Sequence, residues 1–214
     1  MASPTKPIEE LLTLMRDTHR CHTVILYGSH ARGAATPKSD WDVLGVRSEG
    51  PQMRDARRWR GTFLDAFIYP ESALEQPDEQ LFRLMDSVVL TERDGYGTKL
   101  IAKIKDLFAA GPRPLPEDER QARLVWMEKN VERLRVGDVE GNYRRHCLMT
   151  ALLQDLYVLR GLWYRGPKES FRDLRQNDEE LYAQFTEALA PGATFPTVEG
   201  LVSSVRKRII EGQD

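Results

Sequence analysis

The first half of the chain alternates between strand-like and helix-like runs of hydrophobic residues. Apolar and β-branched runs predict strands, which fall near residues 22–27, 41–47, 62–69 and 87–90. Apolar residues at helical spacing predict an amphipathic helix that opens at Pro7 and two further helices near residues 78–85 and 97–109. Strands and helices mixed in this way indicate a small mixed β-sheet with packed helices.

The second half of the chain has helical spacing throughout. The prolines within residues 111–116 stop the preceding helix and separate it stiffly from the next element. Two apolar stripes come next: Leu124, Met127, Val131 and Leu134, then Leu148, Leu152, Leu156, Leu159 and Trp163. We therefore predict an α+β protein, with a sheet domain over residues 1–110 and an all-helical bundle over residues 117–214.

A glycine-hinged polar turn follows the first predicted strand. The strand ends at Tyr27, and Gly28-Ser29 then opens a short helix for which Ser29 is a suitable N-cap. Glycine lets the main chain approach a ligand closely, and backbone N–H groups at a helix start attract anions. The turn is therefore a candidate site for a polyphosphate.

Three aspartates lie in or next to predicted strands, where packing in a buried sheet does not explain a carboxylate. Asp40 and Asp42 are two residues apart, so on a strand they share one face. Asp65 interrupts an otherwise apolar strand, which is costly unless the carboxylate is paired or binds a metal. Neighbouring carboxylates repel each other, and a hard divalent cation such as Mg²⁺ resolves that repulsion.

These motifs together resemble the minimal nucleotidyltransferases of the DNA polymerase β superfamily, whose members include kanamycin and lincosamide nucleotidyltransferases. The similarity rests on Gly28-Ser29, Arg32-Gly33, Ser39-Asp40-x-Asp42 and Asp65. It implies that Asp40, Asp42 and Asp65 bind two Mg²⁺ ions and that Gly28, Ser29 and Ser39 belong to the nucleotide-binding motif. For Arg32, contact with phosphate and an ion pair with Asp40 or Asp42 both stay open.

The resemblance also implies the reaction. A nucleoside monophosphate, AMP from ATP in the first instance, would pass to an acceptor hydroxyl with release of pyrophosphate. The segment around Tyr164 and Lys168 looks like the helical domain of stand-alone bacterial relatives, in which such residues face the nucleotide. Packing of Tyr164 and capping by Lys168 explain the same residues equally well. Some relatives take a general base from this domain, for which the candidates are Glu128, Glu132, Asp155 and Glu169.

Composition narrows the choice of binding partner and of cellular compartment. A formal net charge of -2 shows no basic excess of the kind that points to nucleic acid. The only dense basic run, residues 54–60, is typical of a solvated hairpin arm between two strands, and contact of this run with an anionic substrate stays open. Cys21 and Cys147 form neither a disulfide framework nor a metal spacing. With no apolar signal core and no run long enough for a membrane span, we predict a cytoplasmic protein.

Three functions compete at this point. The first is modification of a small hydroxylated acceptor such as an aminoglycoside, which would confer antibiotic resistance. The second is adenylylation of a protein or tRNA, as in toxin–antitoxin pairs, where a separate helical partner is usual. The third is a catalytically idle nucleotide-binding protein, which has no need for three repelling carboxylates. A homodimer is also open, since some relatives build the acceptor site across a subunit interface.

Overall fold

The computed structural model describes residues 5–212. The chain forms two compact units, Met1–Ala110 and Gly111–Asp214. The predicted functional domains, residues 1–110 and 117–214, include residues 1–4, 213 and 214, which lie outside the described residues. The assignment of a function to each unit stays a prediction.

The first unit is built on a five-stranded mixed sheet. Its strands are β1 (Thr23–Tyr27), β2 (Trp41–Arg47), β3 (Met53–Trp59), β4 (Thr62–Pro70) and β5 (Val88–Thr91). Their order across the sheet is β3-β4-β2-β1-β5. Only the β2–β4 pair is parallel, and the other neighbours are antiparallel. The predicted α+β class with a small mixed sheet is confirmed.

Helices of the first unit cover apolar faces of this sheet. They are α1 (Thr5–Asp17), α2 (Gly28–Ala31), α3 (Tyr96–Ala110) and two 3-10 helices, Glu71–Leu74 and Glu79–Leu84. Leu11 and Met15 of α1 are fully buried against Val24 and Val43 of the sheet. This packing is the expected use of an amphipathic helix, whose apolar stripe must be removed from water.

Two local predictions for this unit hold in place but not in detail. The helix expected near residues 78–85 is present as a 3-10 helix, Glu79–Leu84, with Asp78 capping its start. The basic run at residues 54–60 is the mostly exposed arm of a hairpin, as predicted, but most of it forms a further edge strand, β3, that was not among the predicted strands. A tight turn joins β3 to β4, and both Arg60 (φ 50°) and Gly61 (φ 84°) take the left-handed backbone conformation that two-residue hairpin turns require.

A buried carboxylate ties β3 to the segment that follows α1. Asp55 is only 8% exposed, and its carboxylate accepts hydrogen bonds from Nε2 of His19 (2.8 Å) and from two nitrogens of Arg57 (2.6 Å each). Burial alone would raise the pKa of Asp55, but the hydrogen bonds from Arg57 and His19 lower it below its usual value. These hydrogen bonds thus keep the buried Asp55 side chain ionised.

The second unit is helical. Its helices are α4 (Glu117–Leu134), α5 (Val139–Val158), α6 (Pro167–Asn177), α7 (Glu179–Leu189) and α8 (Phe195–Glu211). Leu148, Leu152 and Leu156 are buried in its core, as their spacing predicts. The predicted extension of that stripe to Trp163 is wrong, because α5 ends at Val158 and Gly161 then takes a φ of +68°.

Asp178 joins two helices of this unit. Its side chain caps α7 by accepting the N–H of Leu181 (3.1 Å), and it also accepts a hydrogen bond from Nε of Arg208 on α8 (2.8 Å). The bond from Arg208 is the main reason that the pKa of Asp178 lies below its usual value. The ion pair therefore fixes the start of α7 against α8.

Within residues 5–212, no helix combines the length and the apolar character needed to cross a bilayer.

Candidate active site

Two aspartates and a tyrosine form one row across the centre of the sheet. Asp42 is in register with Tyr27 on antiparallel β1 and with Asp65 on parallel β4. Side chains of directly paired residues lie on the same face of a sheet, about 5 Å apart. Burial raises the pKa of the Tyr27 phenol, and the negative charges of Asp42 and Asp65 raise it further. Both carboxylates therefore lie close to that phenol.

Gly28 is required by the position of Asp42. Its φ is +71°, in the left-handed region where a side chain is strained. A β-carbon added to Gly28 would overlap Oδ2 of Asp42 and would lie only 3.0 Å from Cγ of the same carboxylate. The backbone turn and the first carboxylate of the row thus pack directly on each other.

Asp65 is held by an arginine from the edge strand. Arg54 donates hydrogen bonds from Nε to Oδ1 of Asp65 (2.6 Å) and from Nη2 to Oδ2 (2.8 Å). The residue directly in register with Asp65 on β3 is Ala56, whose short side chain leaves the carboxylate uncovered. Arg54, two residues away on the same face of β3, therefore reaches diagonally across to it.

A second arginine lies beside the same row. The guanidinium carbon of Arg83 is 4.2 Å from the centre of the Phe67 ring and 5.5 Å from that of Tyr27. Within the described part of the chain, its one hydrogen bond is a long one to the hydroxyl of Tyr69 (3.4 Å), and its Nε is buried without a partner. A guanidinium with five donors and one weak bond has most of its anion-binding capacity unused.

The glycine turn and the two arginines lie beside this row of carboxylates. A sequence model of the family described as "Nucleotidyltransferase domain" matches residues 8–140, more than half of the chain. The chain belongs to this nucleotidyltransferase family. It is an enzyme of the nucleotidyltransferase class, whose substrate is a nucleoside triphosphate and whose members usually use a divalent metal.

Comparison with known proteins adds little to that assignment. A search of curated proteins found no match. Among solved structures, a nucleotidyltransferase-like protein from Exiguobacterium sibiricum is similar, with 13% identity and a TM-score of 0.40, over 96% of this chain and 75% of that chain. The family assignment rests on the sequence match over residues 8–140. The idle alternative loses its support, since the family is enzymatic.

The remaining residues of the predicted motif lie in the turn of this nucleotidyltransferase. The prediction that Ser29 caps the helix was wrong, because α2 begins one residue earlier, at Gly28. Arg32 is half-buried at the end of α2. The hydroxyl of Ser39 accepts the N–H of Thr36 (2.8 Å) and so shapes the loop that leads to β2. Their predicted roles in nucleotide binding stay predictions.

An aromatic stack braces this turn against the sheet. The rings of His30 and Trp41 are stacked, with centroids 3.9 Å apart, and Trp41 also meets Trp59 edge to face at 5.3 Å. Trp41 directly precedes Asp42 and opens β2. The stack therefore links α2 to the strand that carries the central carboxylate of the nucleotidyltransferase.

The donor set fits a metal that takes only part of its ligands from protein. Among residues 5–212, no three acidic, histidine or cysteine side chains come together as a complete metal site. Asp42 and Asp65 are neighbours in register, whereas Asp40 lies in the exposed segment before β2. Mg²⁺ characteristically binds one or two carboxylates together with waters and substrate phosphates. Asp42 and Asp65 fit that requirement, with Asp40 two residues away.

Tyr164 and Lys168 lie in the second, helical unit. Tyr164 packs partly buried against the helical core, and burial raises the pKa of its phenol. Lys168 is exposed in the first turn of α6, just after Gly166 (φ 84°) and Pro167. Their predicted contacts with nucleotide stay predictions.

The general-base candidates divide by environment. Asp155 is buried and bonded to Arg123 (2.8 Å), which is the arrangement of a structural ion pair. Glu128 pairs with Arg206 (2.5 Å) and Glu169 pairs with Arg172 (2.6 Å). Glu132 is exposed on α4. None of these environments singles out a base.

Sequence reasoning did not place Arg54 or Arg83 at the site. Residues 54–58 show no alternation of apolar and polar side chains, so nothing in the sequence gives the register of Arg54 with Asp65. No sequence signal marks Arg83 either, which reaches the row through the packing of a 3-10 helix.

Proposed function

We propose that this enzyme transfers AMP from ATP to a hydroxyl group of a small acceptor, in a Mg²⁺-dependent reaction that releases pyrophosphate. The observation that carries the proposal is the register of Asp42 with Asp65 beside the Gly28 turn. Two carboxylates on neighbouring strands, next to a main chain that a phosphate can approach, are what nucleotidyl transfer to a hydroxyl requires.

The aspartates and the glycine turn have separate tasks in this mechanism, and Asp65 has two. Asp40, Asp42 and Asp65 would hold two Mg²⁺ ions, and Gly28 and Ser29 would receive the triphosphate. When bound, Mg²⁺ supplies charge neutralisation of the phosphates and lowers the pKa of the acceptor hydroxyl. The hydroxyl oxygen attacks the α-phosphorus, the bond from that phosphorus to the β-phosphate oxygen breaks, and Asp65 accepts the hydroxyl proton.

Arg83 serves the leaving group in this proposal. Its planar guanidinium can bind two phosphate oxygens at once, and Phe67 and Tyr27 hold it in place without using its donors. A fixed cation beside the breaking bond stabilises the charge that develops on pyrophosphate. Arg83 thus joins Gly28 and Ser29 as a proposed triphosphate contact.

The acceptor is proposed to be a small hydroxylated molecule of the aminoglycoside or lincosamide kind. Three of the four arginines in residues 54–60 each bond to a carboxylate: Arg54 to Asp65, Arg57 to Asp55 and Arg60 to Glu10. Their charge is neutralised locally, which weakens the case for a nucleic-acid acceptor. Adenylylation of a protein or tRNA becomes an outcome of the acceptor screen.

Calorimetry tests the nucleotide half of the proposal. ATP and the other nucleoside triphosphates are titrated into the parent enzyme and Asp42→Asn, with and without Mg²⁺. The expected result is Mg²⁺-dependent ATP binding that Asp42→Asn abolishes and that Asp17→Asn, an exposed acid at the end of α1, retains. Binding that ignores both Mg²⁺ and Asp42→Asn would contradict the site.

The acceptor half needs a transfer assay. Radiolabelled AMP transfer from ATP is measured with a panel that begins with aminoglycosides and lincosamides and continues with tRNA and protein. Labelling of an antibiotic by the parent enzyme, lost in Asp42→Asn and Asp65→Asn, is the expected result. Labelling confined to tRNA or protein would replace the proposed acceptor.

A further inference from the structure

The Arg54–Asp65 ion pair uses the atoms that a metal would need. Both oxygens of Asp65 accept hydrogen bonds from Arg54, at 2.6 and 2.8 Å. A two-pronged guanidinium contact occupies a carboxylate along the same lone pairs that a cation uses. Arg54 and a divalent cation therefore compete for Asp65.

Arg54 is free to leave. Its side chain is 58% exposed, and Asp65 is 25% exposed, so parting the two groups requires no opening of the core. The hydrogen bonds to Asp65 raise the pKa of Arg54, which keeps its charge in place. The guanidinium carbon also lies 4.9 Å from the centre of the Phe67 ring, the same ring on which Arg83 lies. The Phe67 ring thus places Arg54 beside Arg83, on the side where the triphosphate is proposed to bind.

We infer that Arg54 is the resident counter-cation of Asp65 and sets the metal affinity of the site. This inference rests on the proposed function. Without nucleotide, Arg54 neutralises Asp65 and weakens metal binding there. With nucleotide, the phosphates offer Arg54 another anionic partner, Asp65 becomes available, and the metal binds more tightly. Arg54 is thus a positioning residue that makes metal and nucleotide binding cooperative.

Arg58 provides a matched control. It lies on β3, on the same face as Arg54, and its guanidinium carbon is 5.2 Å from the Phe63 ring, so it shares the exposure, charge and aromatic contact of Arg54. Within the described residues it forms no ion pair with a carboxylate. Arg54→Met and Arg58→Met each remove one positive charge from the same edge of the sheet. Only the first frees a carboxylate.

The test measures binding of Mn²⁺ alone. Free Mn²⁺ is followed by electron paramagnetic resonance during titration of the parent enzyme, Arg54→Met, Arg58→Met and Asp65→Asn, with thermal unfolding as the check on folding. We expect Arg54→Met to bind Mn²⁺ about fivefold more tightly or better, which is the lower end of ordinary coupling between sites. Arg58→Met should match the parent, and Asp65→Asn should bind more weakly. Arg54→Lys, which keeps the charge without the planar fork, should lie between.

A second titration tests the cooperativity. Mn²⁺ binding is repeated with saturating non-hydrolysable ATP, and the gain in metal affinity that the nucleotide produces should be smaller in Arg54→Met than in the parent. Equal Mn²⁺ affinity in Arg54→Met, Arg54→Lys and the parent, with weaker binding in Asp65→Asn, would overturn the role of Arg54 and keep the metal site. Mn²⁺ binding that Asp65→Asn does not change would overturn the proposed metal site and this inference together.

Discussion

Substituting Gly28 tests the close packing of the turn on Asp42. Alanine at this position meets two separate penalties. The left-handed backbone, with φ at +71°, costs a residue that has a β-carbon roughly 1–2 kcal/mol. The overlap of the new β-carbon with the Asp42 carboxylate adds roughly 1–3 kcal/mol, the usual cost of overfilling a packed site.

Gly33→Ala separates the two penalties. Gly33 has nearly the same backbone angle, φ +68°, but a β-carbon built there has nothing within 4 Å. We expect Gly33→Ala to lose only the backbone part of the free energy of unfolding, measured by urea denaturation. Gly28→Ala should lose that amount plus the overlap. It should also weaken Mg²⁺-dependent ATP binding, because Asp42 must move, whereas Gly33→Ala should not.

A double-mutant cycle then assigns the difference to one side chain. Asp42→Ala removes the overlapping oxygen and Cγ, and leaves the Asp42 β-carbon 3.3 Å from the new atom. The free-energy cost of Gly28→Ala should therefore shrink in the Asp42→Ala background by roughly 1–3 kcal/mol, while that of Gly33→Ala stays constant within about 0.5 kcal/mol. Equal costs for the two glycines, and additivity in both cycles, would refute the close-approach reasoning.

Three other substitutions have defined outcomes. Arg83→Met should weaken ATP binding in calorimetry about tenfold or more, since a hydrogen bond to a charged group contributes roughly 1.5–3 kcal/mol. Arg83→Lys should have an intermediate affinity for ATP. Unchanged ATP affinity in Arg83→Met would contradict the role of Arg83 in phosphate binding. The pKa of Asp178 is lower in the folded state than in the unfolded state. Its ion pair with Arg208 therefore stabilises the folded protein at any pH above the ordinary aspartate pKa. This stabilisation is lost as the pH falls through the pKa of Asp178 in the folded state. Asp178→Asn, which keeps the helix cap, should therefore be less stable than the parent to urea at pH 7 and should match it at about pH 2. Asp55→Asn should lower the free energy of unfolding by about 1–3 kcal/mol, because buried His19 and half-exposed Arg57 lose a charged acceptor. A change under about 0.5 kcal/mol would show the charge of Asp55 to be dispensable.

Much of the fold could be predicted because burial leaves a local signal. Residues 23–27 of β1 are all buried, so an unbroken apolar run predicted this strand. Edge strand β3 gave no such signal, since only Asp55 among its seven residues is buried. Helix α7 belongs to the predicted bundle but was not located within it, because it begins directly after α6, with Asp178 ending one helix and capping the next. An element is therefore hard to predict from sequence when few of its residues are buried, as in β3, or when no loop separates it from its neighbour, as in α7.

Some residues of the candidate site also leave a local signal in the sequence, and others do not. Asp42 and Asp65 could be singled out because a carboxylate within an apolar strand has few structural explanations. Arg54 and Arg83 could not, because their positions depend on strand register and on the packing of a 3-10 helix, which are long-range properties. The close approach of Gly28 to Asp42 likewise depends on pairing between β1 and β2. The sequence alone was enough to single out the two aspartates, whereas the two arginines could be found only from the tertiary structure.

The arginines of β3 also bear on how the sheet ends. An edge strand presents unpaired backbone N–H and C=O groups, to which another chain can add by strand pairing, and charged side chains oppose this addition. β3 carries Arg54, Arg57 and Arg58 within seven residues, and the opposite edge, β5, is only four residues long. The exposed arginines of β3 therefore disfavour strand addition at this edge, independently of any part that Arg54 plays in metal binding.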